Sequence, residues 1–169
     1  MKSILALFLG VSISLVACGQ GNPPASPPAS AKQAISSGAT IQVSYGQPSV
    51  KGRTIGENLE PKSGEVWRAG ANKATVFETD KDITVEGKAL KAGKYGFFVL
   101  VGDGGDWTFI FNKTWDQWGA YSYKEADDVL RVPAKTSKGT FSEKLTYTID
   151  ASGKMTINWG DHQASVNIQ

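Results

Sequence analysis

"LTYTIDASGKMTINW", residues 145–159, reads as two strands and the turn between them. Leu145, Tyr147 and Ile149 alternate with Thr146 and Thr148, and Met155, Ile157 and Trp159 alternate with Thr156 and Asn158. Successive side chains of a strand point to opposite faces, so apolar residues at period two mark a half-buried antiparallel sheet. Asp150-Ala151-Ser152-Gly153 joins the two runs, and glycine adopts the positive φ that a tight hairpin turn needs.

The same texture extends in both directions. Short segments rich in Val, Ile, Phe, Tyr and Thr recur between Gly, Asn and Asp clusters, and they predict strands at 40–45, 66–69, 74–79, 82–86, 95–101, 107–112, 129–133, 144–150, 155–159 and 164–168. Gly87, the run from Gly102 to Asp106, and Gly160-Asp161 supply further turns. No stretch of ten residues after Thr40 has a helical period, and the one short helix expected is 122–127, with Ser122 as its cap and Glu125 three residues on. About ten short strands at this spacing predict an all-β domain, an antiparallel β-sandwich of jelly-roll or immunoglobulin-like type, over residues 39–169.

The amino-terminal region has a different character. Met1-Lys2 precedes an apolar run from Ile4 to Val16 that is too short for a transmembrane helix but has the size and flanks of a secretory signal. It ends in Leu15-Val16-Ala17-Cys18, a match to the bacterial lipoprotein signal, in which cleavage exposes the cysteine for lipidation. Residues 1–17 are therefore expected to be a leader and Cys18, the only cysteine, a lipid anchor that ties the protein to a membrane. Residues 18–38 are rich in Pro, Ser, Ala, Gly and Gln and are expected to form a flexible tether. This order predicts an exported, periplasmic or surface-facing protein of the cell envelope.

Composition excludes several function classes. Loss of Lys2 with the leader leaves 17 basic against 16 acidic side chains, which is no electrostatic footprint for nucleic acid. His162 is the single histidine and sits beside Asp161 in a turn, and no G-x-S-x-G elbow, phosphate loop or dinucleotide fingerprint occurs. Zinc sites draw mainly on Cys and His, and the calcium-loop spacing is missing too, so no metal and no cofactor is expected. Asp103, Asp106, Asp127 and Asp128 read as loop and strand-entry residues. A pair of carboxylates working as a glycan hydrolase stays open, because sequence alone cannot place two acids across a cleft, and no catalytic residue is assigned.

Two stretches remain as candidate binding residues. Trp115, Trp118, Tyr121 and Tyr123 fall within nine positions. The burial preference of aromatics favours closing the end of the core, while the competing reading stacks exposed rings on the flat face of a sugar, with Asn112, Asp116 and Gln117 bonding hydroxyls. In Val66-Trp67-Arg68-Ala69-Gly70-Ala71-Asn72, the Arg68 guanidinium suits a carboxylate or phosphate, against a plainer role pairing with an internal acid or stacking on a ring while Asn72 takes a left-handed turn. Lys51-Gly52-Arg53 reads as a solvated loop that would form a small basic pocket with Arg68 only by bending back toward it. A ligand site would thus draw on Arg68, Asn72, Trp115, Asp116, Trp118, Tyr121 and Tyr123, for a glycan or an envelope protein; an exposed strand edge is a third route to a partner.

Tyr45 to Pro48 with Val50 to Arg53, Val66-Trp67-Arg68 with Gly70-Ala71-Asn72, Leu90 to Tyr95, and Asn112 to Tyr123 together resemble the DUF2911 family of bacterial exported domains, found especially in Bacteroidota. The resemblance runs from about Ile41 to Ile168. It implies an all-β domain in an exported setting and assigns no residue a role.

Overall fold

The computed structural model describes residues 24–169. The chain is all-β: β1 (Pro28–Ala34), β2 (Thr40–Gly46), β3 (Val66–Trp67), β4 (Ala71–Thr79), β5 (Ile83–Val85), β6 (Lys88–Leu90), β7 (Gly93–Val101), β8 (Trp107–Asn112), β9 (Asp128–Pro133), β10 (Lys135–Ile149) and β11 (Lys154–Asn167). One large antiparallel sheet has the order β1-β2-β4-β7-β8-β9, with β3 pairing farther along β7. The long hairpin β10-β11 and the short hairpin β5-β6 complete a sandwich-like arrangement.

The core lies between the large sheet and the β10-β11 hairpin. Along β7, Tyr95, Phe97, Val99 and Val101 point into it, and Phe109, Phe111, Leu145, Tyr147, Ile157 and Trp159 join them. Phe97 sits at the centre: its ring lies 5.1 Å from Phe109, 5.4 Å from Phe111 and 6.1 Å from Tyr147, all edge to face. Such pairs add to the large apolar area each ring buries.

Of the intervening residues of β7 and β8, Gly96, Phe98, Ile110 and Asn112 are also buried. Phe98 and Ile110, with Ala74, form a second small cluster on the outer face of the sheet, under Ala120 and Tyr123 from the aromatic loop. This explains the unbroken apolar run of Gly96 to Val101: an overlying loop makes both faces interior. Gly96 permits the approach, since a Cβ there would lie 2.7 Å from the Thr114 carbonyl oxygen.

Several expectations need correction. Residues 28–38, expected to belong to a flexible tether, are part of the folded domain. Pro28–Ala34 pairs with β2 in full register, Pro28 opposite Gly46 through Ala34 opposite Thr40. Ala29 and Ala31 pack on the core, and Ile35 and Ala39 belong to it. A Pro- and Ala-rich segment can add an edge strand to an existing sheet, because the partner strand supplies the hydrogen bonds and Pro is tolerated at a strand's first residue. Gly160, at φ 58°, does not end a strand but bends one, so two expected strands form the single β11. β10 begins at Lys135 and is bulged between Lys138 and Ser142 and again before Thr146. The expected helix is a single 3₁₀ turn at Glu125–Asp127, led by Lys124 rather than Ser122 and without a side-chain cap.

Candidate functional site

β3 and β4 lie in line beside β7, yet Trp67 pairs with Val99 and Thr75 with Phe97. An uninterrupted strand would have placed Ala69 opposite Phe97, so the chain makes a six-residue excursion between Arg68 and Thr75. Ala69 and Asn72 take positive φ there, 53° and 66°. The core holds the excursion from below. The Ala69 carbonyl accepts the hydroxyl of Tyr147 at 2.6 Å and that of Thr75 at 2.9 Å. Desolvation of the fully buried Tyr147 raises its phenol pKa well above the ordinary value, so it remains a donor. Gly46 and Gly70 permit the close packing: a Cβ on Gly46 would collide with the Ala71 carbonyl, and one on Gly70 would lie 2.8 Å from Thr75 Oγ1.

The aromatic loop, residues 113–124, closes against this excursion. Gly119 N–H donates to the Asn72 carbonyl at 3.0 Å, and Ala74 N–H to the Gln117 carbonyl at 3.0 Å. Asn112, fully buried, supports the loop by donating to the Lys124 carbonyl at 3.0 Å and to Asp128 Oδ1 at 2.7 Å, while its own Oδ1 accepts Thr114 N–H at 2.8 Å. Gln117 is buried as well and donates to the Thr114 carbonyl at 2.8 Å. Both belong to the loop's framework, not to a hydroxyl-binding surface.

The four rings divide. Trp115 is 40%, Trp118 59% and Tyr121 81% exposed, which corrects the core-closure expectation for these three. Tyr123 is half-buried on Phe98, with ring centres 5.0 Å apart. Its hydroxyl donates to Asp128 Oδ2 at 2.7 Å and accepts from Arg131 Nη2 at 2.8 Å. Burial, then the hydrogen bond to the Asp128 carboxylate, pushes the Tyr123 pKa up to about 12. Burial alone would lower the pKa of Arg131, but its bonds to Asp128 and Tyr123 outweigh that and raise it. Tyr123 is thus an anchor of the loop. The loop keeps its small residues and Tyr123 inward and turns its largest rings out, a division that burial preference alone does not reveal.

Trp115 and Asp116 form one wall of an open groove of about 350 Å³. Its floor comes from Ala29, Ser44, Gly46 and Val76 of β1, β2 and β4, and Asn72 and Lys73 line it as well. Lys94 Nζ lies 5.6 Å from the centre of the Trp115 ring, and Lys73 pairs with Asp116 at 3.1 Å with both side chains largely in water. An ion pair so exposed contributes little to stability, which leaves Asp116 free to exchange Lys73 for a ligand. Asp116 is the only carboxylate lining this groove. The floor residues carry no chemical signature in sequence, being small or apolar side chains brought together from three strands.

Among the described residues Arg68 pairs with no acid. Its Nη1 donates to the Asn72 carbonyl at 3.0 Å, and its Cζ stands 5.7 Å from the centre of the Tyr121 ring. Gly119 lies against the guanidinium, where a Cβ would be 3.1 Å from Cζ. Of the seven residues proposed from sequence, Trp115, Asp116 and Asn72 line the aromatic groove; Arg68 and Asn72 line a neighbouring groove of about 250 Å³; Trp118 and Tyr121 lie outside both. Arg53 lines the second groove with Arg68, so the 51–53 loop does bend back. Among the described residues no group of three His, Cys, Asp or Glu side chains comes together to hold a metal ion.

A family model described as a protein of unknown function, DUF2911, matches residues 26–168. The chain belongs to the DUF2911 family. The matched region begins two residues before β1 and so covers all eleven strands, which agrees with the edge strand being part of the DUF2911 domain and not of a tether. No curated protein and no solved structure matches the chain.

Proposed function

We propose that the chain is a membrane-tethered binding module of the cell envelope, and that its aromatic groove takes a saccharide. In this reading the leader through Ala17 is removed, Cys18 carries the lipid, and the domain works outside the cytosol. These amino-terminal residues lie outside the described part of the chain, and their support is the sequence pattern at Leu15 to Cys18. The eight residue-to-residue steps from Cys18 to Ser26, whose carbonyl accepts from the Asn72 amide at 3.1 Å, span at most about 29 Å. The groove would therefore work close to the membrane surface.

The observation that carries the reading is the exposure of Trp115 as the wall of an open groove. Among the described residues only five large hydrophobic side chains are exposed, and Trp115, Trp118 and Tyr121 are three of them. Concentrating exposed apolar area on one loop is the usual mark of an interaction surface. A Trp offers large area at low rotamer cost and suits the apolar face of a sugar ring, with Asp116 and Asn72 placed for hydroxyls.

Binding is favoured over hydrolysis because glycoside cleavage needs two carboxyl groups about 5–9.5 Å apart, and this groove offers Asp116 alone. It is favoured over strand addition because β1, an edge strand, opens with Pro28 and carries Lys32, both of which discourage pairing. A panel of chito-oligosaccharides and peptidoglycan fragments, titrated into the mature chain carrying Cys18→Ser for solubility, tests this. Trp115→Ala should weaken the best-bound glycan about tenfold without shifting the melting temperature by more than a few degrees. An unchanged affinity would exclude the Trp115 groove as the binding surface.

A further inference from the structure

We propose that the second groove is an oxyanion subsite, in which Arg53 and Arg68 hold the carboxylate or phosphate of an acidic saccharide. The saccharide part rests on the reading of the aromatic groove; the anion part does not. The chain has three arginines. Arg131 is paired with Asp128 at 2.7 Å and Glu125 at 3.3 Å. Neither Arg53 nor Arg68 has a carboxylate partner among the described residues, and both line the same groove of about 250 Å³.

Both guanidinium groups are held in place by uncharged partners. Arg53 Nε donates to the Val50 carbonyl at 3.0 Å and Nη2 to the Ser49 carbonyl at 2.6 Å. Arg68 gives one N–H to the Asn72 carbonyl and rests between Gly119 and Tyr121. A guanidinium carries five N–H donors in a rigid fork, so each retains donors and full charge. The excursion between β3 and β4 takes one N–H of Arg68 and nothing from Arg53, whose two bonds hold its own turn. Trp67 and Trp159 line the same groove, and apolar walls strengthen a charge-assisted bond made beside them.

One acid, Glu60, also lines the groove, with its Oε2 accepting Lys62 N–H at 3.1 Å. It opposes an anion and predicts a variant of opposite sign. Ala71 and Asn72 line both grooves, so a sugar against Trp115 would have its acidic substituent across this shared rim.

Three probes share one ring and differ in their substituents: N-acetylglucosamine, N-acetylmuramic acid with a carboxylate, and N-acetylglucosamine 6-phosphate. Titrated by NMR into the mature Cys18→Ser chain at low salt, at least one acid should bind about ten- to a hundredfold tighter than the neutral sugar. Whichever acid gains identifies the group held. Arg53→Gln and Arg68→Gln should each reduce the acid-to-neutral ratio, and Glu60→Gln should raise it. Should Arg68→Gln loosen the loop, Arg53→Gln and Glu60→Gln carry the same comparison. Equal affinity for all three probes would overturn the subsite and leave the sugar reading standing. A response of the Arg53 and Arg68 Nε signals to inorganic phosphate, when none of the three sugars binds, would support the anion site and overturn the saccharide. Silence toward every probe would overturn both.

Discussion

Phe97→Ala is expected to lower the unfolding free energy by about 3–5 kcal/mol, and the melting temperature by roughly 10–20 °C. Phe97 is fully buried and touches aromatic rings from β8 on one side and from β10 on the other. Truncation removes the apolar area of the ring and leaves a cavity where the two layers meet, which neighbouring rings on paired strands cannot collapse to fill. Phe98→Ala, at the next position of the same strand, provides a contrast. Its ring lies in the small outer cluster beneath Tyr123 and Ala120. Its loss should loosen the aromatic loop as well as destabilise the domain. Urea unfolding of both variants, followed by near-ultraviolet circular dichroism, measures the two effects. A cost under about 1 kcal/mol for Phe97→Ala would contradict a single core between the sheet and the hairpin.

Cys18→Ser is expected to move the protein from the membrane to the soluble fraction almost completely. Two or more acyl chains hold a protein to a bilayer stably, whereas one chain gives marginal, reversible binding. No helix among the described residues is long and apolar enough to cross a membrane, and the overall formal charge is +2 with the leader included. Fractionation of cells producing each form at equal levels checks this, with mass spectrometry of the amino terminus. Membrane retention of Cys18→Ser, or an unmodified sulfur on the wild-type chain, would contradict the anchor.

The parts of the fold that sequence disclosed are those where one face is buried and the other wet. Leu145, Tyr147, Met155, Ile157 and Trp159 all lie in the core as their alternation requires. Legibility failed where pairing, rather than side-chain character, makes the strand. β1 has only Ala29 and Ala31 to offer the core, and it exists because β2 presents a free edge. It failed again where a segment's role depends on what lies over it, as with Phe98 under the aromatic loop. At the site, the residues with distinctive chemistry were visible, yet their grouping was not. That Arg53 and Arg68 line one groove, that Tyr123 turns in while Tyr121 turns out, and that Ala29 and Gly46 line another groove depend on contacts between segments distant in sequence. A short loop held by a tyrosine some eighty residues away leaves no local trace.

The most direct test of the binding surface uses the five tryptophans as reporters. Their indole N–H signals can be followed in the mature Cys18→Ser chain as it is titrated with the best-bound neutral oligosaccharide of the panel. Trp67, Trp107 and Trp159 lie in the core, and Trp107, at the end of β8 opposite the aromatic loop, stacks on His162 at 6.1 Å and lines a different groove. The Trp115 signal should shift furthest, with smaller changes at Trp118 and none at Trp107. Shifts centred on Trp107, or a Trp115 signal that stays fixed while the sugar binds, would contradict the account.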